Sequence, residues 1–164
     1  MKKETKIKRT YVLHKFISAE DADYIFNQPL SQAKAWRGIV TKMCLHKGDI
    51  INLGNGNLPV VSWSTRYNIA ECFASIGTAF LRGKDSIIFE GEIEGSSLED
   101  YYKINPKWDE GEILTPAREQ YQITDIETKF LTLTESERKA AKIFSPNKEV
   151  PERLPYYIIK VKKL

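Results

Sequence analysis

Apolar residues in this 164-residue chain recur in short stretches that are bounded by glycine, proline, asparagine and aspartate. Stretches of this length with such boundaries are typical of strands. They lie at residues 10–17, 33–40, 85–95, 110–116, 119–131 and 156–164. A further strand, a Gly- and Asn-rich loop and another strand are predicted within residues 45–65. The pattern therefore predicts a protein that is rich in β structure.

Three other stretches have apolar residues at helical spacing, and they predict helices at residues 18–28, 66–81 and 134–144. The apolar positions of the central helix are Ala70, Phe73, Ala74, Gly77, Phe80 and Leu81. Its start can be capped by Ser64 or Thr65, and Gly83 can end it. Capping pairs open the two outer helices, Ser18 with Asp21 and Thr134 with Glu137.

The composition is that of a folded globule, with 41% hydrophobic and 29% charged residues. No repeat, low-complexity tract or internal linker interrupts the chain, so residues 1–164 are expected to form a single α+β domain. The net charge is only +3, and the positive residues cluster near the two ends, where a solvated surface explains them better than a polyanion site. Because no basic and aromatic platform is present, we expect no nucleic-acid partner.

The cysteines and the hydropathy of the chain indicate the cellular compartment in which the protein is expected. The two cysteines, Cys44 and Cys72, are expected to be free thiols in a reducing compartment. Neither they nor His14 and His46 have the spacing of metal ligands, so no metal is expected. No apolar stretch approaches the ~20 residues of a membrane span, and the basic N-terminus is not followed by a signal-peptide pattern. We therefore expect a cytoplasmic protein with no membrane partner.

The tetrapeptide EGEI occurs twice, at residues 90–93 and at residues 110–113. On an extended segment, carboxylates two residues apart point to the same face, which could form either a catalytic pair or an ordinary strand surface. The first copy lies inside a continuous strand pattern. The second follows Asn105, Pro106 and Trp108, a loop composition that can fold over a substrate. The residues therefore favour the second copy as the site.

Four motifs follow one another along the chain: WRG at residues 36–38, SWST at 62–65, AECFA at 70–74 and EGEILTP at 110–116. Their order and spacing resemble the mono-ADP-ribosyltransferases of the arginine–serine–glutamate type, across residues 35–126. The resemblance implies the fold of that family, with two packed mixed β-sheets, flanking helices and a cleft for NAD. It also implies that ADP-ribose is transferred from NAD to a protein side chain and that nicotinamide is released.

The resemblance gives roles to individual residues. Glu112 would hold a ribose hydroxyl beside the developing positive charge, and Glu110, on the same strand face, would orient and deprotonate the acceptor. A glutamate at the first of these positions implies an arginine acceptor, since a carboxylate binds a guanidinium well. Ser62 would aim Glu112, and Arg37 would bind a phosphate of NAD.

Further contacts with NAD are implied for Gly38, Ser64, Phe73 and Arg82. Gly38 would let the backbone approach the nicotinamide amide, and Ser64 would support the loop. Phe73 would pack on nicotinamide, and Arg82 would reach the pyrophosphate. The residues alone also allow helix capping for Ser64, core packing for Phe73 and a solvated charge for Arg82. Trp108 is expected to contact the acceptor protein.

One departure from the family pattern bears on the pocket. Trp63 stands in the middle of the S-x-S motif, where a small threonine is usual. We expect its bulk to reshape the nicotinamide pocket, and this departure weakens the assignment of the acceptor more than the assignment of NAD binding.

Two alternative functions stay open at this point. In an NAD glycohydrolase, water would replace the acceptor at the same site, whereas a non-catalytic binding module would keep the fold without the chemistry. The joint presence of Arg37, Ser62 and Glu112 argues against the module. A toxin, a phage-encoded modifier and an injected effector all fit the transferase interpretation. We expect a monomer that meets its acceptor protein in the cytosol.

Overall fold

The computed structural model describes residues 27, 29–54, 60–98 and 111–164. Within these ranges the chain forms seven strands, two α-helices and one 3-10 helix. The strands are β1 (Ser31–Thr41), β2 (Ile50–Asn52), β3 (Val60–Ser64), β4 (Asp85–Ser97), β5 (Glu112–Pro116), β6 (Gln120–Thr132) and β7 (Arg153–Lys163). The helices are α1 (Tyr67–Ala74) and α2 (Glu135–Phe144), and the 3-10 helix spans Ala79–Arg82.

Most of the predicted strands are confirmed, with small changes at their ends. β1, β4, β6 and β7 cover the predicted stretches, β2 and β3 flank the predicted loop, and β5 begins at Glu112. The strand predicted at residues 10–17 lies outside the described residues, as do the capping residues Ser18 and Asp21. Of the helix predicted at residues 18–28, only Asn27 is described.

All seven strands are hydrogen-bonded into one sheet in the order β1-β3-β5-β4-β7-β6-β2. Strand β4 links its parts, because it pairs with β1 from Asp85 to Gly95, with β7 from Ile87 to Glu90, and with β5 at its end. The two packed sheets that the family resemblance implies are therefore joined through β4 into one hydrogen-bonded sheet. The α+β class is confirmed.

The core lies on both faces of the central strand β4. Successive residues of a strand point to opposite faces, and Ile87 and Ile88 are both fully buried. Ile87 belongs to the main core with Phe89, whereas Ile88 packs under α1 with Ala70. Strand β4 is therefore covered on both sides, which explains its nearly continuous apolar sequence at this point.

Helix α1 is shorter than the sequence predicts. One helix is predicted over residues 66–81, but α1 ends at Ala74 and a separate 3-10 helix follows. The cause is in the backbone, because Ser75 (φ 50°) and Gly77 (φ 95°) adopt positive φ, which an α-helix cannot continue through. Gly83, with φ 65°, ends the 3-10 helix rather than α1. The prediction of a single helix is therefore wrong beyond Ala74.

Helix α1 approaches β1 closely at Gly38. A Cβ atom added there would stand 1.9 Å from the carbonyl oxygen of Ala70 and 2.6 Å from the backbone nitrogen of Ala74. Ala70 and Ala74 are themselves buried. Small residues on both sides therefore set how deeply α1 lies on the sheet.

Helix α2 begins with the predicted capping box. The Thr134 hydroxyl accepts from the backbone N–H of Glu137 over 3.2 Å, and the Glu137 carboxylate accepts from the N–H of Thr134 over 3.0 Å. Both cysteines are exposed free thiols, as predicted. Across the described part of the chain, neither helix has the length and apolar sequence that a bilayer crossing requires.

Replacing Gly38 with alanine is expected to lower the free energy of unfolding by about 3 kcal/mol, because the added methyl group forces α1 away from β1. Urea unfolding followed by circular dichroism measures this change. Gly48→Ala is the comparison, because a Cβ there meets nothing within 4 Å. Its positive φ alone should cost about 1 kcal/mol. Equal losses in the two variants would contradict the close approach at Gly38.

Candidate active site

The candidate site lies between β1 and β3, which diverge after a single pair of residues. Among the described residues, β1 meets β3 in the single pair Trp36–Ser64, whereas it pairs with β4 along its whole length. The Arg37 guanidinium reaches across this opening, and its Nη1 donates to the carbonyl oxygen of Ser62 over 2.8 Å. The arginine of the WRG motif therefore lies beside the first serine of the SWST motif.

The register of β3 and β5 brings Ser62 to Glu112. Ser62 pairs with Leu114 and Ser64 pairs with Glu112, so all four side chains share one face of the sheet. Ser62 and Glu112 are diagonal neighbours on that face, and Ser62 Oγ donates to Glu112 Oε1 over 2.6 Å. Glu112 is buried, with 3% exposure. Because a buried carboxylate is costly unless it is hydrogen-bonded, the serine hydroxyl offsets part of that cost.

A pocket of about 230 Å³ opens beside this pair. Its lining residues come from β1, β3, β5 and α1, and they are Trp36, Arg37, Gly38, Ser62, Trp63, Ser64, Ile69, Ala70, Phe73 and Glu112. Every predicted site residue in the described ranges lines this pocket except Arg82, which is exposed at the end of the 3-10 helix. Glu110 and Trp108 lie outside the described residues.

The backbone before Glu112 bears on one expectation about the second EGEI copy. Gly111 has a φ of 59°, and β5 begins only at Glu112. The alternation of faces within β5 therefore starts at Glu112. Glu110 lies outside the described residues, so its place on the same face as Glu112 stays a prediction. In the first copy the alternation holds for Glu90 and Glu92, because Gly91 lies within β4.

The turn that follows β3 is hydrogen-bonded to the residue that precedes β5. The backbone N–H of Thr65 donates to the Gly111 carbonyl oxygen over 2.8 Å, and a Cβ on Gly111 would stand 2.5 Å from the Thr65 hydroxyl. The Ser64 hydroxyl accepts from the N–H of Arg66 over 3.0 Å, which supports this turn. Neither serine nor threonine caps α1, whose N-cap residue is Arg66 without a side-chain cap.

Trp63 borders the pocket, but most of its side chain belongs to the core. It is 1% exposed, its indole N–H donates to the Thr115 hydroxyl over 3.1 Å, and its ring packs on Tyr121 at 5.6 Å between centroids. The reason is the strand alternation, which turns Trp63 away from Ser62 and Ser64. Trp63 thus belongs to the core and also lines the pocket, and its effect on the shape of the pocket stays a prediction.

Phe73 is not a core residue, although it stands at a helical apolar position. It is 58% exposed and lines the pocket. The small residues Ala70 and Ala74 take the buried face of α1 instead, because Gly38 lets the helix lie close to β1. The alternative of core packing for Phe73 is therefore excluded.

Trp36 also lines the pocket, although the sequence did not predict it as a site residue. Its indole Nε1 donates to Glu90 Oε1 over 2.9 Å. The sequence signal that could have identified Trp36 was its position, because it stands directly before the predicted site residue Arg37 on the same strand. Glu90, from the first EGEI copy, contacts the wall of the pocket rather than the pocket itself.

Comparison with solved structures identifies the fold. The chain is similar to the Vis toxin, an ADP-ribosyltransferase from Vibrio splendidus, with a TM-score of 0.50 at 16% identity, over 96% of this chain and 64% of that one. ADP-ribosyltransferase Vis in complex with the M6 inhibitor gives a TM-score of 0.51 at 18% identity, over the same 96% and 64%. The chain thus has the ADP-ribosyltransferase fold and spans 64% of the length of these proteins. No protein-family model and no curated protein matches the sequence.

Phe73→Ala is expected to change the free energy of unfolding by less than about 1 kcal/mol, because most of the ring is already exposed. Phe89→Ala is the matched control, because Phe89 is 1% exposed. That variant should lose about 3–5 kcal/mol. Urea unfolding of the two variants gives the comparison. A loss in Phe73→Ala as large as that in Phe89→Ala would contradict the placement of Phe73 at the pocket.

Proposed function

We propose that the protein is a mono-ADP-ribosyltransferase that cleaves NAD at the nicotinamide–ribose bond and transfers ADP-ribose to a protein arginine. The observation that carries the proposal is the buried Glu112 carboxylate, which Ser62 Oγ holds at 2.6 Å beside a pocket that Arg37 also lines. The ADP-ribosyltransferase fold supports it. So does the match of these three residues to the arginine–serine–glutamate set.

The environment of Glu112 suits the chemistry of this bond. When the N-glycosidic bond breaks, positive charge builds on the ribose while nicotinamide leaves. A carboxylate that is already oriented and shielded from water stabilises such a charge more strongly than an exposed one. Glu112 meets both conditions, since it is 3% exposed and the Ser62 hydroxyl fixes one of its oxygens. In the proposed reaction Glu112 holds a ribose hydroxyl, and Ser62 is a positioning residue that keeps the carboxylate aimed.

The described pocket suits one end of NAD. Its volume of about 230 Å³ is below the ~300–1,000 Å³ of sites that hold a whole drug-sized ligand. We therefore assign it to the nicotinamide and its ribose, with the exposed Phe73 ring available to pack on nicotinamide. Arg37 would bind a phosphate through its planar donor groups. Arg82, outside the pocket lining, would serve the far half of the dinucleotide.

The acceptor is proposed from the sequence, because Glu110 lies outside the described residues. A carboxylate at this position can bind a guanidinium and take its proton as a guanidinium nitrogen attacks the ribose carbon. The new carbon–nitrogen bond forms as the bond to nicotinamide breaks. The acceptor would then be an arginine of a cytosolic protein, with the enzyme acting as a toxin or an effector.

Glu112→Gln is expected to slow nicotinamide release from NAD at least about 100-fold, because the neutral amide cannot stabilise the ribose cation. The dissociation constant for NAD should stay within about threefold, since the amide keeps the shape and still accepts from Ser62. Chromatography of released nicotinamide gives the rate, and calorimetry gives the affinity.

The matched control for this variant is Glu92→Gln, because Glu92 is the exposed equivalent of Glu112 in the first EGEI copy. Its rate should equal that of the wild-type protein. Full nicotinamide release by Glu112→Gln would overturn the assignment of Glu112, and equal losses in both variants would mean that the loss is not specific to the site.

A further inference from the structure

A second carboxylate, that of Glu90, stands behind the wall of the pocket. Glu90 and Trp36 are direct cross-strand partners on β4 and β1, so their side chains lie on the same face within contact distance. The Trp36 indole Nε1 donates to Glu90 Oε1 over 2.9 Å. The Glu90 side chain is only 17% exposed. A hydrogen bond between an indole and a carboxylate in such a place is strong and directional.

Two more contacts restrain the same indole. Lys34 Nζ lies 3.5 Å from Glu90 Oε1 and 5.6 Å from the centroid of the Trp36 ring. Tyr67, from α1, meets the indole edge to face at 5.8 Å between centroids and 78° between planes. Burial raises the pKa of Tyr67 well above its ordinary value, so this neighbouring ring stays neutral. The indole is therefore held by groups from β1, β4 and α1 together.

Within the described part of the chain, the direct link between Glu90 and the pocket is its hydrogen bond to Trp36. Trp36 is one of the residues that line the pocket, and Glu90 is not. Without an acceptor for its N–H, the indole would lose its one directional contact and keep, among the described residues, only the contacts with the Tyr67 ring and Lys34, which restrain the two side-chain torsions less tightly. The pocket would then have one wall free to move, and a ligand would have to order it on binding.

We propose that Glu90 is a positioning residue of the NAD site, which fixes the Trp36 indole as a wall of the pocket and thereby sets the affinity for NAD. Bond cleavage at Glu112 depends little on it, because Glu90 does not line the pocket. This inference rests on the proposed function, since it names NAD as the ligand.

The test compares two substitutions at Glu90. Glu90→Leu removes the acceptor, whereas Glu90→Gln keeps an oxygen that can accept from the indole N–H. Glu90→Leu is expected to raise KM for NAD about tenfold, as the loss of one hydrogen bond to a charged group does. The kcat for nicotinamide release should stay within about twofold. Glu90→Gln should keep KM within about threefold of the wild-type value.

Glu92→Leu is the matched control, because Glu92 lies on the same face of β4 two residues further on and is exposed. It should leave both constants unchanged. An unchanged KM in Glu90→Leu, an equal rise in Glu92→Leu, or a fall in kcat at constant KM would each overturn the proposal.

A readout that does not need catalysis separates this inference from the proposed function. The three tryptophans of the chain give three indole N–H signals in a proton–nitrogen NMR spectrum, and Trp36→Phe identifies the signal of Trp36. That signal should move in Glu90→Leu and stay near its place in Glu90→Gln. If it does not move in Glu90→Leu, the positioning role is overturned. If it moves but the wild-type protein neither binds nor cleaves NAD, the positioning of Trp36 is supported and the proposed function has failed.

Discussion

The burial of one carboxylate governs how this site is built. Glu112 is the first residue of β5, and only 3% of it is exposed. A carboxylate that is buried in this way needs a hydrogen-bond donor close to it. Ser62 is that donor because β3 and β5 pair in a register that makes the two side chains diagonal neighbours. The alternate residues Trp63 and Ile113 fill the main core. A slip of the register by one residue would therefore exchange the core face and the site face together.

The pocket beside this carboxylate lies where β1 and β3 diverge. Among the described residues β1 pairs with β4 along its whole length but meets β3 in one pair only, and the Arg37 guanidinium reaches from β1 to the Ser62 carbonyl oxygen beside that pair. Helix α1 closes the pocket from one side, at a depth that Gly38 permits. Because Gly38 lets α1 lie close to β1, the small residues Ala70 and Ala74 fill the space between them. Phe73 is therefore left exposed at the pocket. One backbone contact thus links the WRG motif to the AECFA motif.

Much of this arrangement could be predicted from the sequence, but only where a short pattern determines the structure. The apolar stretches predicted the strands, and Thr134 with Glu137 predicted the start of α2, because both signals are local. The end of α1 could not be predicted, since the positive φ of Ser75 has no marker in the sequence. The hydrogen bond between Glu90 and Trp36 could not be predicted either, because it depends on which strands pair with each other.

The two EGEI copies stand in different relations to the pocket. Glu112 meets the pocket directly, and Glu90 supports the tryptophan that lines it. The two glycines separate these roles, because Gly91 continues a strand whereas Gly111 takes a positive φ where β5 begins. Identical tetrapeptides therefore acquire different roles from the backbone around them.

The most direct measurement is to incubate the purified protein with NAD labelled in its adenine and with a cytosolic lysate, beside the Glu110→Gln variant. A protein-arginine transferase should place label on discrete protein bands. Glu110→Gln should lose the bands but still release nicotinamide, because only the acceptor step needs this carboxylate. Consumption of NAD without any labelled protein would contradict transfer and indicate a glycohydrolase, and intact NAD would contradict the proposed chemistry altogether.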